Sequence, residues 1–371
     1  MSWRWMWVLM MVVPSAWAQR PPETHPVSSS QNIVMSWDRS SIPTEIELWA
    51  PRTLLGYDHT NPALQYGQLH LVCSSSSDTS QGACPTDGTN EASVGSRDIP
   101  VRFVERRSNM QIDLVVKGAV ERALPDRSCR GNFWEGDLFA PWSAYVTSCG
   151  GTEPVGTGAQ LSISAHELNK LVAGVWSATV KLTAQTPSSR NLAEHVFAFD
   201  LTITDHNAVS IYFPAFPNVS PLVALNAGYD PISRTIGGHT VLDMCLYDGL
   251  GSQAQYLGVT VRDTGARPPG PSGFSLWHDT AGSDDSQRLD YTVTLDHNGI
   301  TVPLTNGVEE QLHGIDTAQL RLVMLPGMSQ PVFCVPTPMT LDIPRVPIST
   351  KRSGIYWGDL KVELRVPTAT P

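Results

Sequence analysis

Apolar and polar residues alternate in short runs along most of this chain. Thr44-Glu45-Ile46-Glu47-Leu48-Trp49 does so, and Leu161-Ser162-Ile163, residues 176–182 (WSATVKL) and residues 197–203 (FAFDLTI) repeat the pattern. Past residue 205 it returns in residues 209–213, 256–262 (YLGVTVR), 289–295 (LDYTVTL) and 320–325. Successive side chains on a strand point to opposite faces, so each run predicts a half-buried strand. The 29 Gly and 29 Pro supply the turns between them. This order predicts an all-β protein built of sandwiches rather than βαβ units.

One segment predicts a helix. Ser164-Ala165-His166-Glu167 fits the S-x-x-E capping box, in which the Ser side chain accepts from a backbone N–H and the Glu reaches back. The helix runs no further than Val172, because Ala173-Gly174 supplies a stop. The polar break Asp205-His206-Asn207 falls between strong strand patterns. It divides the chain into an expected first domain, 19–204, a linker, 205–207, and a second domain, 208–371. A length of 371 residues suits two domains of ordinary size.

Residues 1–18 read MSWRWMWVLMMVVPSAWA. Arg4 is a positive n-region, residues 5–13 an apolar core too short to span a bilayer, and Ala16-Trp17-Ala18 a small-x-small cleavage site. The segment reads as an export signal. Export permits disulfides, and six cysteines follow: Cys73, Cys84, Cys129, Cys149, Cys245 and Cys334. Six cysteines allow 15 connectivities. Proximity favours Cys73–Cys84 and Cys129–Cys149, leaving Cys245–Cys334, a partition that lets each half close its own bridges. No CxxC or HxxxH spacing points to a metal.

The balance of 25 Lys+Arg against 35 Asp+Glu gives a net charge of −10, the wrong sign for neutralising nucleic-acid phosphates. No G-x-S-x-G elbow, P-loop, HExxH or dinucleotide fingerprint occurs. The best carboxylate pair is Glu135 and Asp137 in Phe133-Trp134-Glu135-Gly136-Asp137. Two carboxyls flanking a sugar could hydrolyse a glycoside, but a pair inside the Cys129–Cys149 loop reads first as solvated. The Arg106-Arg107 pair reads the same way.

Several segments together resemble the CfaE/CblD-type tip adhesins of class 5 fimbriae of Gram-negative bacteria. In the first half they are Gly82-Ala83-Cys84-Pro85, Glu167-Leu168-Asn169-Lys170-Leu171 and Gly174-Val175-Trp176-Ser177-Ala178. In the second they are Asp243-Met244-Cys245-Leu246-Tyr247-Asp248-Gly249, Cys334-Val335-Pro336 and residues 353–362 (SGIYWGDLKV). The ordered set, with the spacing of all six cysteines, carries the likeness across nearly the whole mature chain.

The resemblance implies two immunoglobulin-like β-sandwich domains in tandem. The first binds a host-cell glycan or glycoprotein receptor. The second is a pilin domain lacking its last strand. A periplasmic chaperone lends it a strand, and the N-terminal extension of the major pilin replaces that strand at the outer-membrane usher. No catalysis and no cofactor are implied, and the expected place is the pilus tip on the cell surface. Leu360, Val362, Leu364 and Val366 alternate with Lys361, Glu363 and Arg365, and would form the assembly strand beside the empty groove.

One departure bears on the receptor. Some members of that family bind sialylated glycans through arginines five residues before the first cysteine and just after the Gly-Val-Trp strand. Those positions here are Gln68, Thr186 and Pro187. Arginine clamps a carboxylate with two charge-assisted bonds, and these residues cannot. The resemblance therefore leaves Gln68, Thr186 and nearby Arg190 as receptor-binding candidates while removing the sialic-acid clamp. Two other functions stay open: an assembly-initiating pilin without a receptor, and a secreted carbohydrate-active enzyme using Glu135 and Asp137.

Overall fold

A computed structural model describes residues 19–280, 282–328 and 330–367. The export signal lies outside the described residues. Almost all regular structure is strand. In the first half these are β1 (Ser29–Asp38), β2 (Glu45–Tyr57), β3 (His70–Val72), β4 (Arg97–Glu105), β5 (Gln111–Ala123), β6 (Trp134–Phe139), β7 (Gly156–Ser164), β8 (Gly174–Thr186) and β9 (Ser189–Thr204).

They pair in the order β1-β9-β8-β4-β5-β7-β2, with β3 on β8 and β6 on β5. The path curls around a core that includes Trp49, Phe103, Leu114, Trp176 and Phe197. On β9 every second residue from Ala193 to Ile203 is buried, as alternation demands. β1 adds an edge the alternation did not mark. It runs parallel to β9 over ten residue pairs, from Ser29 opposite His195 to Asp38 opposite Thr204.

The second half holds β10 (Ser210–Tyr212), β11 (Gly228–Asp230), β12 (Thr235–Leu242), β13 (Cys245–Tyr247), β14 (Tyr256–Asp263), β15 (Phe274–His278) and β16 (Arg288–His297). It continues with β17 (Ile300–Pro303), β18 (Glu309–His313), β19 (Arg321–Val323), β20 (Val332–Pro336), β21 (Met339–Pro347), β22 (Tyr356–Trp357) and β23 (Leu360–Arg365). Three sheets result: β10-β13-β20-β19; β11-β12-β21-β16-β15-β22; and β18-β14-β23. They enclose a second core with Leu257, Val259, Phe274, Tyr291, Leu295 and Met339. Three disulfides join Cys73 to Cys84, Cys129 to Cys149 and Cys245 to Cys334.

Two expectations are corrected. The helix spans only Ala165–Leu168, and the Ser164 side chain caps nothing. Glu167 instead accepts from the Val115 N–H at 2.8 Å and pairs with Lys170 at 2.6 Å. A carboxylate drawn to β5 cannot close a capping box, and the chain turns at once to bury Leu168, Leu171 and Val172.

Second, Arg107 is no solvated arginine. It leaves the turn after β4 and donates to the carbonyl oxygens of Ser252 and, at 2.7 Å, Ala318, both in the second half.

The two halves also share a core. Cys245, Tyr247, Leu325, Val332 and Cys334 belong to the first core. The joint is built on the loop after β13. There the buried Asp248 carboxylate accepts from the N–H groups of Leu250, Ser252 and Ala254 at 2.8–3.0 Å. That wrap turns Gly249 and Gly251 left-handed, each at φ 68°. Residues 205–207 are held rather than loose. The Asp205 N–H donates to the Gly249 carbonyl at 2.7 Å, and Asp38 accepts from the His206 N–H at 3.1 Å. Serine and histidine donors hold the Asp38 carboxyl far below its usual range, against the burial that would raise it.

Candidate functional site

Among the described residues β23 and β10 are both sheet edges: β23 pairs only with β14, and β10 only with β13. Between them the second domain is open along a trench of about 1850 Å³. Leu242, Leu276, Leu289, Tyr291, Met339, Leu341 and Ile343 lie along it, and Leu360, Val362 and Leu364 of β23 line one side. All three β23 residues are half-buried and packed on the second core, as is Val366. The outward residues Lys361 and Arg365 are exposed. The alternation of residues 360–366 thus presents an apolar face to the trench. Burial pushes the Tyr291 hydroxyl well above its usual range, so the phenol stays neutral.

Residues 217–225 also line the trench. Val219 and Leu222 are exposed there, two aliphatic side chains standing in water. A concave apolar channel with an unpaired strand edge alongside can take up one more strand: main-chain bonds supply affinity and alternate side chains set the register.

The receptor candidates lie in the first domain. Pro187-Ser188 turns the chain from β8 into β9. β3 pairs with β8 so that His70 faces Gln185, and Gln68 ends the short turn leading into β3. Gln68, Thr186 and Arg190 therefore share one end of the domain. Arg190 is exposed and pairs with Asp87 at 2.5 Å. Gln68 is half-buried, its carbonyl within 2.9 Å of His70 Nδ1. Thr186 is 3% exposed, with its hydroxyl 3.3 Å from that of Ser188, so it offers a receptor little surface.

This end is tied down by a residue that no local pattern singles out. Arg122 on β5 is completely buried. Its guanidinium donates to the carbonyls of Leu69 at 2.8 Å, Ser143 at 2.5 Å and Tyr145 at 3.1 Å, and to the Thr157 hydroxyl at 2.7 Å. It thereby fixes the corner next to Gln68. Burial lowers its pKa to about 10, and the charge of Glu135 opposes that shift.

Glu135 contradicts the expectation of a solvated pair. It is 3% exposed, with Oε1 unpartnered. Burial pushes its carboxyl up to about 7, against the lowering charge of Arg122. Gly136 is left-handed at φ 86° and breaks the alternation. Asp137 consequently stands in solvent, 3.8 Å from Arg130. The two carboxyls face different surroundings and do not flank a common cleft. Among the described residues no cluster of His, Cys, Asp or Glu could hold a metal.

Comparison with known proteins gives a consistent picture. The chain is 29% identical over 312 residues to CfaE, a CFA/I fimbrial protein of Escherichia coli, covering 80% of each. It superimposes on the crystal structure of CfaE, the adhesive subunit of CFA/I fimbria of enterotoxigenic E. coli, with a TM-score of 0.70. Identity there is 25%, over 94% of this chain and 95% of the other. A chaperone–tip adhesin complex of CFA/I fimbriae biogenesis shares the fold at a TM-score of 0.66 and 24% identity, over 95% of this chain and 99% of the other. Two family models account for the sequence, the first domain of the CFA/I fimbrial protein CfaE over residues 14–206 and its second domain over residues 209–368. With both domains matched in order, this chain belongs to the CfaE family of CFA/I fimbrial proteins.

Proposed function

We propose that this chain is a fimbrial tip adhesin. It is a minor pilus component, exported through the periplasm to the cell surface, that binds a host-cell receptor and initiates assembly by accepting a donor strand. Residues 19–204 form the adhesin domain and residues 208–371 the pilin domain, with 205–207 as the joint. The trench along β23 is the observation that carries this reading. A periplasmic chaperone fills it first. The N-terminal segment of the major pilin then fills it at the outer-membrane usher. Three or four buried aliphatic side chains, at about 1.5–3 kcal/mol each, contribute on the order of 5–10 kcal/mol before ordering costs. That rivals the stability of an ordinary domain.

The test compares residues 19–371 alone with the same chain carrying the cognate major pilin's N-terminal segment, fused after Pro371 through a flexible linker. The unfused chain should aggregate or be degraded, and the fused chain should be a soluble monomer. An unfused chain that is monomeric and cooperatively folded without a chaperone would overturn strand acceptance.

The receptor surface is read at the end of the first domain that carries Gln68 and Arg190. Gln68, Thr186 and Pro187 in place of a carboxylate clamp favour a second reading, a pilin that initiates assembly with no receptor of its own. Binding of the fused chain to host cells separates the two. The different surroundings of the buried Glu135 and the solvated Asp137 argue against the glycosidase reading of that pair.

A further inference from the structure

β14 is the central strand of its sheet, yet Gly258 sits in its interior. Glycine there weakens a strand, and it marks a place where something approaches closely. Here the neighbour is a carboxylate. A Cβ on Gly258 would lie 2.6 Å from Glu309 Cδ. Glu309 is on β18, at one edge of the sheet, and reaches across β14 to Arg365 on β23, at the other. Arg365 Nε donates to Glu309 Oε2 at 2.6 Å, and its terminal nitrogen donates to Oε1. The register sets Gly258 directly opposite Arg365, so the missing side chain is the gap through which the fork closes. The Arg365 guanidinium also stacks 5.7 Å from the Tyr256 ring centroid.

We propose that Arg365 and Glu309 are positioning residues of the trench, latching the last strand across Gly258 to the far edge of its sheet before any donor strand arrives. This rests on the strand-acceptance reading above. On its trench side β23 has no backbone partner among the described residues, and its half-buried Leu360, Val362 and Leu364 pack on the second core without closing the trench. Among the described residues the backbone of its six residues pairs with β14 alone. An edge so held frays readily, and a frayed edge offers no fixed register to an incoming strand. The outer face adds a second hold. A forked, charge-assisted pair spanning three strands resists both sliding and peeling, where a single point contact would not.

The test is hydrogen exchange on the dilute full chain, residues 19–371, in short pulses that precede association. In Glu309→Gln and in Arg365→Leu the amides of residues 361–365 should exchange about three- to fivefold faster, the effect of losing a well-formed exposed pair. Amides of the trench floor, such as Tyr291 and Leu341, should not change. The double swap Glu309→Arg with Arg365→Glu should restore slow exchange, and Gly258→Ala should accelerate it without touching a charge. Unchanged exchange in the single variants would overturn the latch. So would equal acceleration of the floor, or a swap no slower than the single variants. The readout needs no donor strand, so it can fail while strand acceptance stands. Conversely, a soluble unfused monomer would refute acceptance and leave the latch measurable.

Discussion

Gly251 of the second domain lies so close to the first that a Cβ on it would sit 2.6 Å from the Gly174 Cα. Gly249, two residues earlier, is pressed in the same way against the Asp205 carbonyl oxygen. The joint is thus backbone against backbone, with no room for a side chain to adjust.

Gly251→Ala should therefore combine left-handed strain with a backbone clash, costing about 1–3 kcal/mol. Gly327→Ala is the control: it is also left-handed, at φ 83°, but its Cβ would meet nothing within 4 Å. Chemical denaturation of the two variants isolates the clash. Equal losses would show that the joint yields without penalty.

Arg107 predicts how far the first domain depends on the second. Its two bonds to carbonyl oxygens are charge-assisted, worth about 1.5–3 kcal/mol each. Arg107→Ala should lower the stability of the full chain and hasten protease cleavage near residues 205–207. Residues 19–206 expressed alone should close Cys73–Cys84 and Cys129–Cys149 but melt below the first domain of the full chain, having lost Tyr247, Leu325 and Val332 from its core. Calorimetry of both chains checks this, and an unchanged melting temperature would show that the shared core adds nothing.

Glu135 gives a pH signature. Its folded carboxyl is raised from 4.5 to about 7. Between those values the folded state binds more protons than the unfolded state, so stability falls as pH rises through that window. Glu135→Gln should flatten this slope and stabilise the protein at pH 8 by about 1–3 kcal/mol. Denaturant midpoints across pH 4–8 measure it. A variant with the wild-type slope would place the titration elsewhere.

Sialidase treatment of target cells should leave adhesion unchanged. Gln68 and Pro187 cannot clamp a carboxylate, and Thr186 is buried. Arg190 is the nearby exposed cation, and Asp87 already engages it. Loss of adhesion both on sialidase treatment and in Arg190→Ala would show a rebuilt acidic-sugar site.

The strands that alternate cleanly were legible because one face of each meets the core; residues 197–203 fall within β9 in the expected phase. β1 was not, because Ser-Gln-Asn residues give it little apolar face and a parallel partner more than 150 positions away holds it. The capping box misled because its glutamate had a better partner on another strand. One flank of the trench was readable in Leu360, Val362, Leu364 and Val366, whereas its floor is assembled from distant strands that no local pattern links. Arg122 and Glu135 carried no signal, since nothing local distinguishes a charge buried against other loops from one in water. Gly249-Leu250-Gly251 did carry one: two glycines one residue apart allow a turn in which the backbone comes close to another.

Because Cys245, Tyr247 and Cys334 complete the first core, the order in which the chain emerges matters. The first two bridges can close once residue 149 has crossed the inner membrane. The third must wait for residue 334, and until then the domain made first stays unfinished at its base. Emergence and maturation are therefore offset by more than 100 residues of synthesis. A pulse-chase on non-reducing gels should show a two-bridge intermediate whose protease resistance rises only as the third bridge forms.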